Sequence, residues 1–383
     1  MKISKLLRDE IIFILKKLVQ IPSENPPGIT KEIVKFLIDD VFKEELGFQN
    51  QVIVNIKNGV ELHNLVSTIG DGKEKIVLSG HFDVVPAGDA VQWEYPPYSA
   101  KIKNGRLYGR GSADIKGGIA SLIGVIKTLS KIPDFLEKYK LVFVGTADEE
   151  AGMAGSITLS KQGVMNDSIL LIIAEPTNLK IGIGEKGLLW VKLKITGKSA
   201  HGSTPHEGIN AIEGALKIIP QLYDCLEEKT NVILGKSTLN IGKISGGTAI
   251  NVVPDRAILD LDYRIIPEQD HNYLIVNLKD LQKRNFSIDI EIINELYALQ
   301  TDSNHPFIQN LKEISKSEAL GLSYATDAAH LININNPIPF VIFGLGDPNN
   351  IHKIDEYIEL EQVFQATELL TNALLQSYSK EKD

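Results

Sequence analysis

Residues Lys75–Gly118 read KIVLSGHFDVVPAGDAVQWEYPPYSAKIKNGRLYGRGSADIKGG. The segment opens on a short apolar run, Ile76–Leu78, the pattern of a strand buried in a covered sheet. Where the apolar character stops stands His81, with Asp83 two residues on. The segment closes on Asp114, in a turn rich in glycine (Gly109, Gly111) just before an apolar helical pattern that follows Gly118. An imidazole two residues from a carboxylate suits a metal ligand and the group that fixes its tautomer, although an isolated pair of this kind also serves simply to cap a turn.

Three further apolar runs end in the same way. Leu141–Val144 runs into Gly145-Thr146-Ala147-Asp148-Glu149-Glu150, and Ile169–Ile173 into Ala174-Glu175-Pro176. Ile338–Phe343 runs into Gly344-Leu345-Gly346-Asp347, with His352 shortly beyond. In an open α/β sheet, catalytic groups gather outside the carboxyl ends of the parallel strands. Four strand ends therefore supply His81, Asp114, Glu149, Glu150, Glu175 and His352. Two imidazoles among several carboxylates suit a pair of divalent ions that share one carboxylate. The expected fold class is α/β, a mostly parallel sheet with helices on both faces.

Composition narrows the function classes. A length of 383 residues suggests about two domains. The formal charge is −9 and no Lys/Arg cluster occurs, which argues against nucleic acid or an anionic membrane as partner. Cys225 is the only cysteine, so no internal disulfide forms and a reducing, cytoplasmic setting is expected. No stretch is long and apolar enough to span a bilayer. Charges at Arg8, Asp9, Glu10, Lys16 and Lys17 interrupt the first apolar segment, unlike a signal peptide.

Along the chain, Leu6, Leu7, Ile11, Ile14, Leu15 and Leu18 predict an amphipathic first helix, and Thr30 is expected to cap a second that stops at Gly47. Asn58-Gly59, Gly70-Asp71-Gly72 and Asn104-Gly105 are read as three hairpin turns. Ile119–Leu129 is the expected helix behind the site. After Pro176 the pattern changes, because Leu188–Thr196 alternates like a half-exposed strand. A helix over 209–226, strands over 237–244 and 257–264, a helix over Asp270–Lys283 and a strand over 287–293 complete a β-α-β-β-α-β order. This predicts a catalytic domain in two parts, 1–184 and 296–383, around an inserted α+β domain of ferredoxin-like order, 185–295. A closing helix is expected over 361–377, with a frayed tail over 380–383.

The segments GHFDVVPAGD, LYGRGSADIKGG, TADEEAG, AEPTN, SAHGSTPHEGINAI and GLGDPNNIHKIDE span nearly the whole chain. In that order they resemble the di-zinc metallopeptidase family that holds acetylornithine deacetylase, succinyl-diaminopimelate desuccinylase, aminoacylase and glutamate-releasing carboxypeptidases. The resemblance implies two divalent ions, zinc with cobalt or manganese as substitutes. It places His81 and Glu175 on one ion, Glu150 and His352 on the other, and Asp114 between them. It further implies Asp83 on the free nitrogen of His81, a cis peptide after Asp114, and Glu149 as the general base for the attacking water. His201 would stabilise the oxyanion from the partner subunit of a homodimer formed through the inserted domain.

Asn251 and Arg264 match positions that contact a substrate carboxylate, for which a guanidinium is suited, though a salt bridge within the sheet explains Arg264 equally well. Thr326 begins a further substrate-contact segment. There the chain departs from the family, because Ala329 and His330 stand where the deacylases have an Arg and an aromatic. The leading expectation is an N-acyl amino acid deacylase of the acetylornithine or succinyl-diaminopimelate kind. A dipeptidase or carboxypeptidase of the same family is the alternative, and a catalytically silent metal-binding protein the alternative from another class.

Overall fold

A computed structural model describes residues 1–281 and 286–380 and divides the chain into two compact units. The first comprises Met1–Ile183, Thr301–Leu320 and the residues from Thr326 on, and the second Gly184–Gln300 and Gly321–Ala325. The predicted helix end at Lys283 and the tail residues 381–383 lie outside the described residues.

Unit 1 is built on a mixed sheet. Strands Tyr139–Thr146, Glu74–His81, Ser168–Ile173 and Phe340–Ile342 lie side by side in that order and all parallel. Val60–Ile69 and Gln49–Lys57 continue the Tyr139–Thr146 edge as antiparallel strands. The parallel strands are nearly continuous apolar runs because both faces are covered; in Glu74–His81, every residue from Ile76 to His81 is buried. Helices Lys5–Gln20, Gly117–Leu129 and Leu360–Lys380 pack against one another over the sheet. The register pairs His81 with Thr146, Ser79 with Ile173, and Ile342 with Ile173, so the four carboxyl ends share one edge. That alignment gathers the polar residues that follow each strand.

Two of the three hairpin turns are present. Asn58 and Gly59, both at positive φ, join Lys57 to its partner Val60, and Asn104-Gly105 joins Lys101–Lys103 to Arg106–Tyr108 in the same way. Gly70-Asp71-Gly72 is not a hairpin, because Tyr139–Thr146 lies between the flanking strands. Its glycines serve close approach instead: the amides of Asp71 and Gly72 donate to the Leu136 carbonyl, and a Cβ on Gly72 would stand 2.2 Å from the Lys138 backbone. Thr30 does not cap its helix either. Its hydroxyl donates to the His63 carbonyl and accepts the His63 amide, tying the helix start to a strand. Leu6 is exposed, whereas Leu7, Ile11, Ile14, Leu15 and Leu18 form the buried stripe of the first helix.

Unit 2 has a four-stranded antiparallel sheet in the order Thr238–Gly246, Arg256–Ile265, Gly187–Thr196, Ser287–Leu296. Helices Ala211–Asp224 and His271–Asp280 alternate with these strands in the predicted β-α-β-β-α-β order. Strand Arg256–Ile265 alternates buried and part-exposed residues, so one sheet face meets the helices in an apolar core and the other does not. Among the described residues no helix is long and apolar enough to cross a membrane.

Candidate metal centre

The strand ends of unit 1 bring six of the expected residues to one place. Asp114 is buried in the irregular turn before helix Gly117–Leu129, and its peptide to Ile115 is cis. Its two carboxylate oxygens face different imidazoles: Oδ1 lies 3.2 Å from His81 Nε2, and Oδ2 lies 3.1 Å from His352 Nε2. Glu175 Oε1 stands 3.6 Å from the same His81 nitrogen, and Glu150 Oε1 stands 3.1 Å from His352 Nε2. Ligand atoms of His81, Asp114 and Glu150 all lie within 4.8 Å of one another.

The turn holding Glu149 and Glu150 is fixed from below. Asp148, in left-handed conformation at φ 70°, ends the Tyr139–Thr146 strand and is wholly buried. It pairs with Lys57 Nζ at 2.6 Å and accepts from Asn25 Nδ2 at 3.0 Å. Asp83 does not bond His81 through its carboxylate as expected. The His81 Nδ1–H donates to the Asp83 main-chain carbonyl at 2.9 Å, which leaves Nε2 to face Asp114 and Glu175. The Asp83 carboxylate, 3.9 Å from Nδ1, instead accepts the amides of Glu149 and Glu150 at 3.1 Å each and Asn25 Nδ2 at 2.9 Å.

Negative charge is in excess here. Burial pushes the Glu149 carboxyl well above the usual range, with Glu175, Asp327 and Glu150 adding repulsion against the attraction of His81. Glu175 is raised in the same way by burial, with repulsion from Asp114, Glu150 and Asp327. Burial disfavours a charged His81, yet Asp114, Glu175 and Glu149 raise its imidazole well above its ordinary value. His352, bonded to Asp114 and Glu150, is pushed up to about 10. The buried ammonium of Lys116 is brought down to about 7 by desolvation. Buried carboxylates of this density are satisfied by cations, and a donor set of imidazole and carboxylate suits a divalent metal.

Thr326 is wholly buried, and its hydroxyl accepts the Ala328 amide at 3.2 Å where helix Ala328–Leu331 begins. In unit 2, His201 and Asn251 are brought together: His201 bridges to Val252, and the Gly202 amide donates to the Asn251 carbonyl at 2.7 Å. His201 is exposed, with Nδ1 accepting the Ser203 amide at 3.1 Å. Arg264 Nε pairs with Asp262 two residues away at 2.9 Å, the salt bridge within the sheet.

A family model described as peptidase family M20/M25/M40 matches residues 77–376, which takes in every strand end described above. The chain belongs to peptidase family M20/M25/M40. It is accordingly a hydrolase acting on amide bonds. A probable succinyl-diaminopimelate desuccinylase of Staphylococcus aureus (strain MSSA476) is 31% identical, covering 97% of this chain and 98% of its own length. The acetylornithine deacetylase of Vibrio parahaemolyticus is 30% identical, covering 87% of this chain and 88% of its own. An M20 family metallo-carboxypeptidase from Sulfolobus solfataricus shares the fold, with a TM-score of 0.76 at 21% identity, over 96% of this chain and 100% of that one.

Within this M20 chain, Asn25, Lys57 and Asp148 support the turn that carries Glu149 and Glu150, and none of them is an expected site residue. Each alone reads as a loop residue in solvent. Position is the usable signal for Asp148, which directly precedes the Glu pair.

Proposed function

We propose that this M20 chain binds two divalent ions, zinc in the first instance, and removes the acyl group from an N-acyl amino acid. His81 and Glu175 would hold one ion, Glu150 and His352 the other, and Asp114 both. The observation that carries this is the Asp114 carboxylate, whose two oxygens each face a different imidazole. When bound, divalent ions there would polarise the amide carbonyl and acidify water.

Glu149 is half-buried beside the ligands on a turn held by Asp83, and its raised proton affinity suits a general base. It takes a proton from the attacking water as the water oxygen bonds to the acyl carbon. As the C–N bond breaks, the same carboxyl returns that proton to the leaving nitrogen. His201 of a second copy would donate to the oxyanion, with Asn251 and Arg264 receiving the substrate carboxylate. Dimerisation through unit 2 is supported by the exposed edge strand Thr238–Gly246, whose outer ladder no described strand occupies. The single buried cysteine supports action in the cytoplasm.

The peptidase reading rests on Ala329 and His330, which offer no guanidinium for a second carboxylate. Comparing kcat/KM across acetyl-, succinyl- and aminoacyl-amino acids with added zinc or cobalt decides between them. The missing guanidinium predicts that acetyl and succinyl substrates differ by less than roughly a factor of 100. A preference of several orders of magnitude for one dicarboxylic substrate would contradict it.

A further inference from the structure

Arg110 and Glu356 form an ion pair inside unit 1, with Nη1 to Oε2 at 2.7 Å and side chains 3% and 1% exposed. Neither faces the imidazoles, and nothing in the proposed chemistry uses them. Glu356 Oε2 also accepts the Gly111 amide at 3.2 Å, while Oε1 accepts the amides of Ala113 at 2.9 Å and Asp114 at 3.2 Å. The Gly109 amide donates to the main-chain carbonyl of Glu356 at 2.9 Å. Arg110 donates in addition to the carbonyls of Lys353 at 3.1 Å and Pro86 at 3.4 Å, and its guanidinium lies 5.2 Å from the Trp93 ring centre. One buried pair thus grips three separate segments. The first comes after His81 and Asp83, the second carries Asp114, and the third carries His352.

We propose that the Arg110–Glu356 pair is a positioning clamp, which holds Asp114 between His81 and His352 and thereby sets the affinity of both metal positions. This rests on the metal-site assignment made above. A buried ion pair is a weak device for stability, since apolar replacements of similar volume are often neutral or better. Its retention is accounted for by its surroundings. Three amides of one turn, including that of Asp114 itself, converge on one carboxylate, and a carboxylate accepting several N–H groups fixes the peptide planes from which the side chain springs. The arginine fork supplies a reach that a lysine would not, three acceptors on two segments, Glu356 and Lys353 on one and Pro86 on the other, met by one rigid plane.

The test is titration of Zn²⁺ into metal-free protein against a chromophoric chelator, with thermal unfolding measured in parallel. Glu356→Gln should weaken binding of both ions by about 10- to 100-fold, the range for residues that orient metal ligands. Arg110→Lys keeps the charge but loses the fork, and should weaken binding by roughly 10-fold or less. Leu374→Ala, in the core of helix Leu360–Lys380 and away from these segments, should lower the unfolding temperature yet leave zinc affinity within about 2-fold.

Wild-type affinities in a folded Glu356→Gln protein would overturn the clamp, as would wild-type affinities in Arg110→Lys should the first variant not fold. Failure of both to fold would overturn it too, by assigning the pair to the fold alone. A wild-type chain that binds no zinc would overturn the metal-site assignment and the clamp with it, whereas intact wild-type binding with unaltered variants would overturn the clamp only.

Discussion

The interiors of the two units are built on opposite terms. Between its sheet and helices, unit 2 packs an apolar cluster running from Leu189 to Ile288, and its described buried polar residues, such as Glu185, Asn231 and His271, gather no set of three metal-ligating side chains. Unit 1 has an apolar core of the same kind, but at the carboxyl edge of its parallel strands it also buries His81, Asp83, Asp114, Asp148, Glu175 and Asp327. Burying charge without compensation is costly, and much of this charge is only partly compensated within the chain, as the raised carboxyls of Glu149 and Glu175 show. The two kinds of interior can therefore be told apart by function: unit 2 is organised for shape, whereas one end of unit 1 is organised around ligands.

The largest effect that would sharpen this contrast is on catalysis with the fold untouched. Glu149→Gln should lower kcat by about 10²- to 10⁴-fold with both metals retained and no loss of thermal stability. Loss of a metal in that variant, seen by elemental analysis, would exchange the roles assigned to Glu149 and Glu150.

The next effect concerns unit 2, where His201 and Asn251, proposed above as site residues, are exposed. His201→Ala should lower kcat by about 10²- to 10³-fold. Mixing it with Glu149→Gln under conditions of subunit exchange should restore about a quarter of wild-type activity, since half the dimers are mixed and each has one complete site. A mixture that exchanges subunits and stays inactive would place His201 at the site of its own chain or remove it from catalysis.

The smallest effect bears on stability alone. Leu193→Ala, in the centre of the unit 2 core, should cost about 2–5 kcal/mol. Cys225 reports on it directly, because the buried thiol is pushed up to about 11 and reacts slowly with a thiol reagent at a pH of about 8. The variant should speed that reaction, whereas Glu149→Gln should not. Equal acceleration in both would mean that the two interiors are not energetically distinct.

Much of this was legible from residue patterns because parallel strands buried on both faces declare themselves as apolar runs, and the residues directly after each run must lie at one sheet edge. That rule brings His81, Glu150 and Glu175 to one edge, and the structure gathers Asp114 and His352 beside them from longer turns. Pairing that depends on the third dimension escaped. Gly70-Asp71-Gly72 has hairpin composition, but no local signal says that Tyr139–Thr146 will insert between its flanking strands. Thr30 has the composition of a cap, and its hydroxyl is taken by His63 from another element. Lys57, Asp148 and Asn25 become one network only once a hairpin end, a strand end and a proline loop meet. His81 Nδ1 stands 2.9 Å from the Asp83 main-chain carbonyl and 3.9 Å from its carboxylate, and residue spacing alone does not distinguish the two.

If the Asp114 carboxylate serves two ions at once, the number of metals bound per chain reports it most directly. Elemental analysis of zinc-loaded, desalted protein should find two ions per chain in the wild type. Glu150→Gln and Glu175→Gln should each lower the count toward one, and Asp114→Asn should weaken both positions. A wild-type chain that holds a single ion, or an Asp114→Asn chain that keeps two at wild-type affinity, would contradict the account.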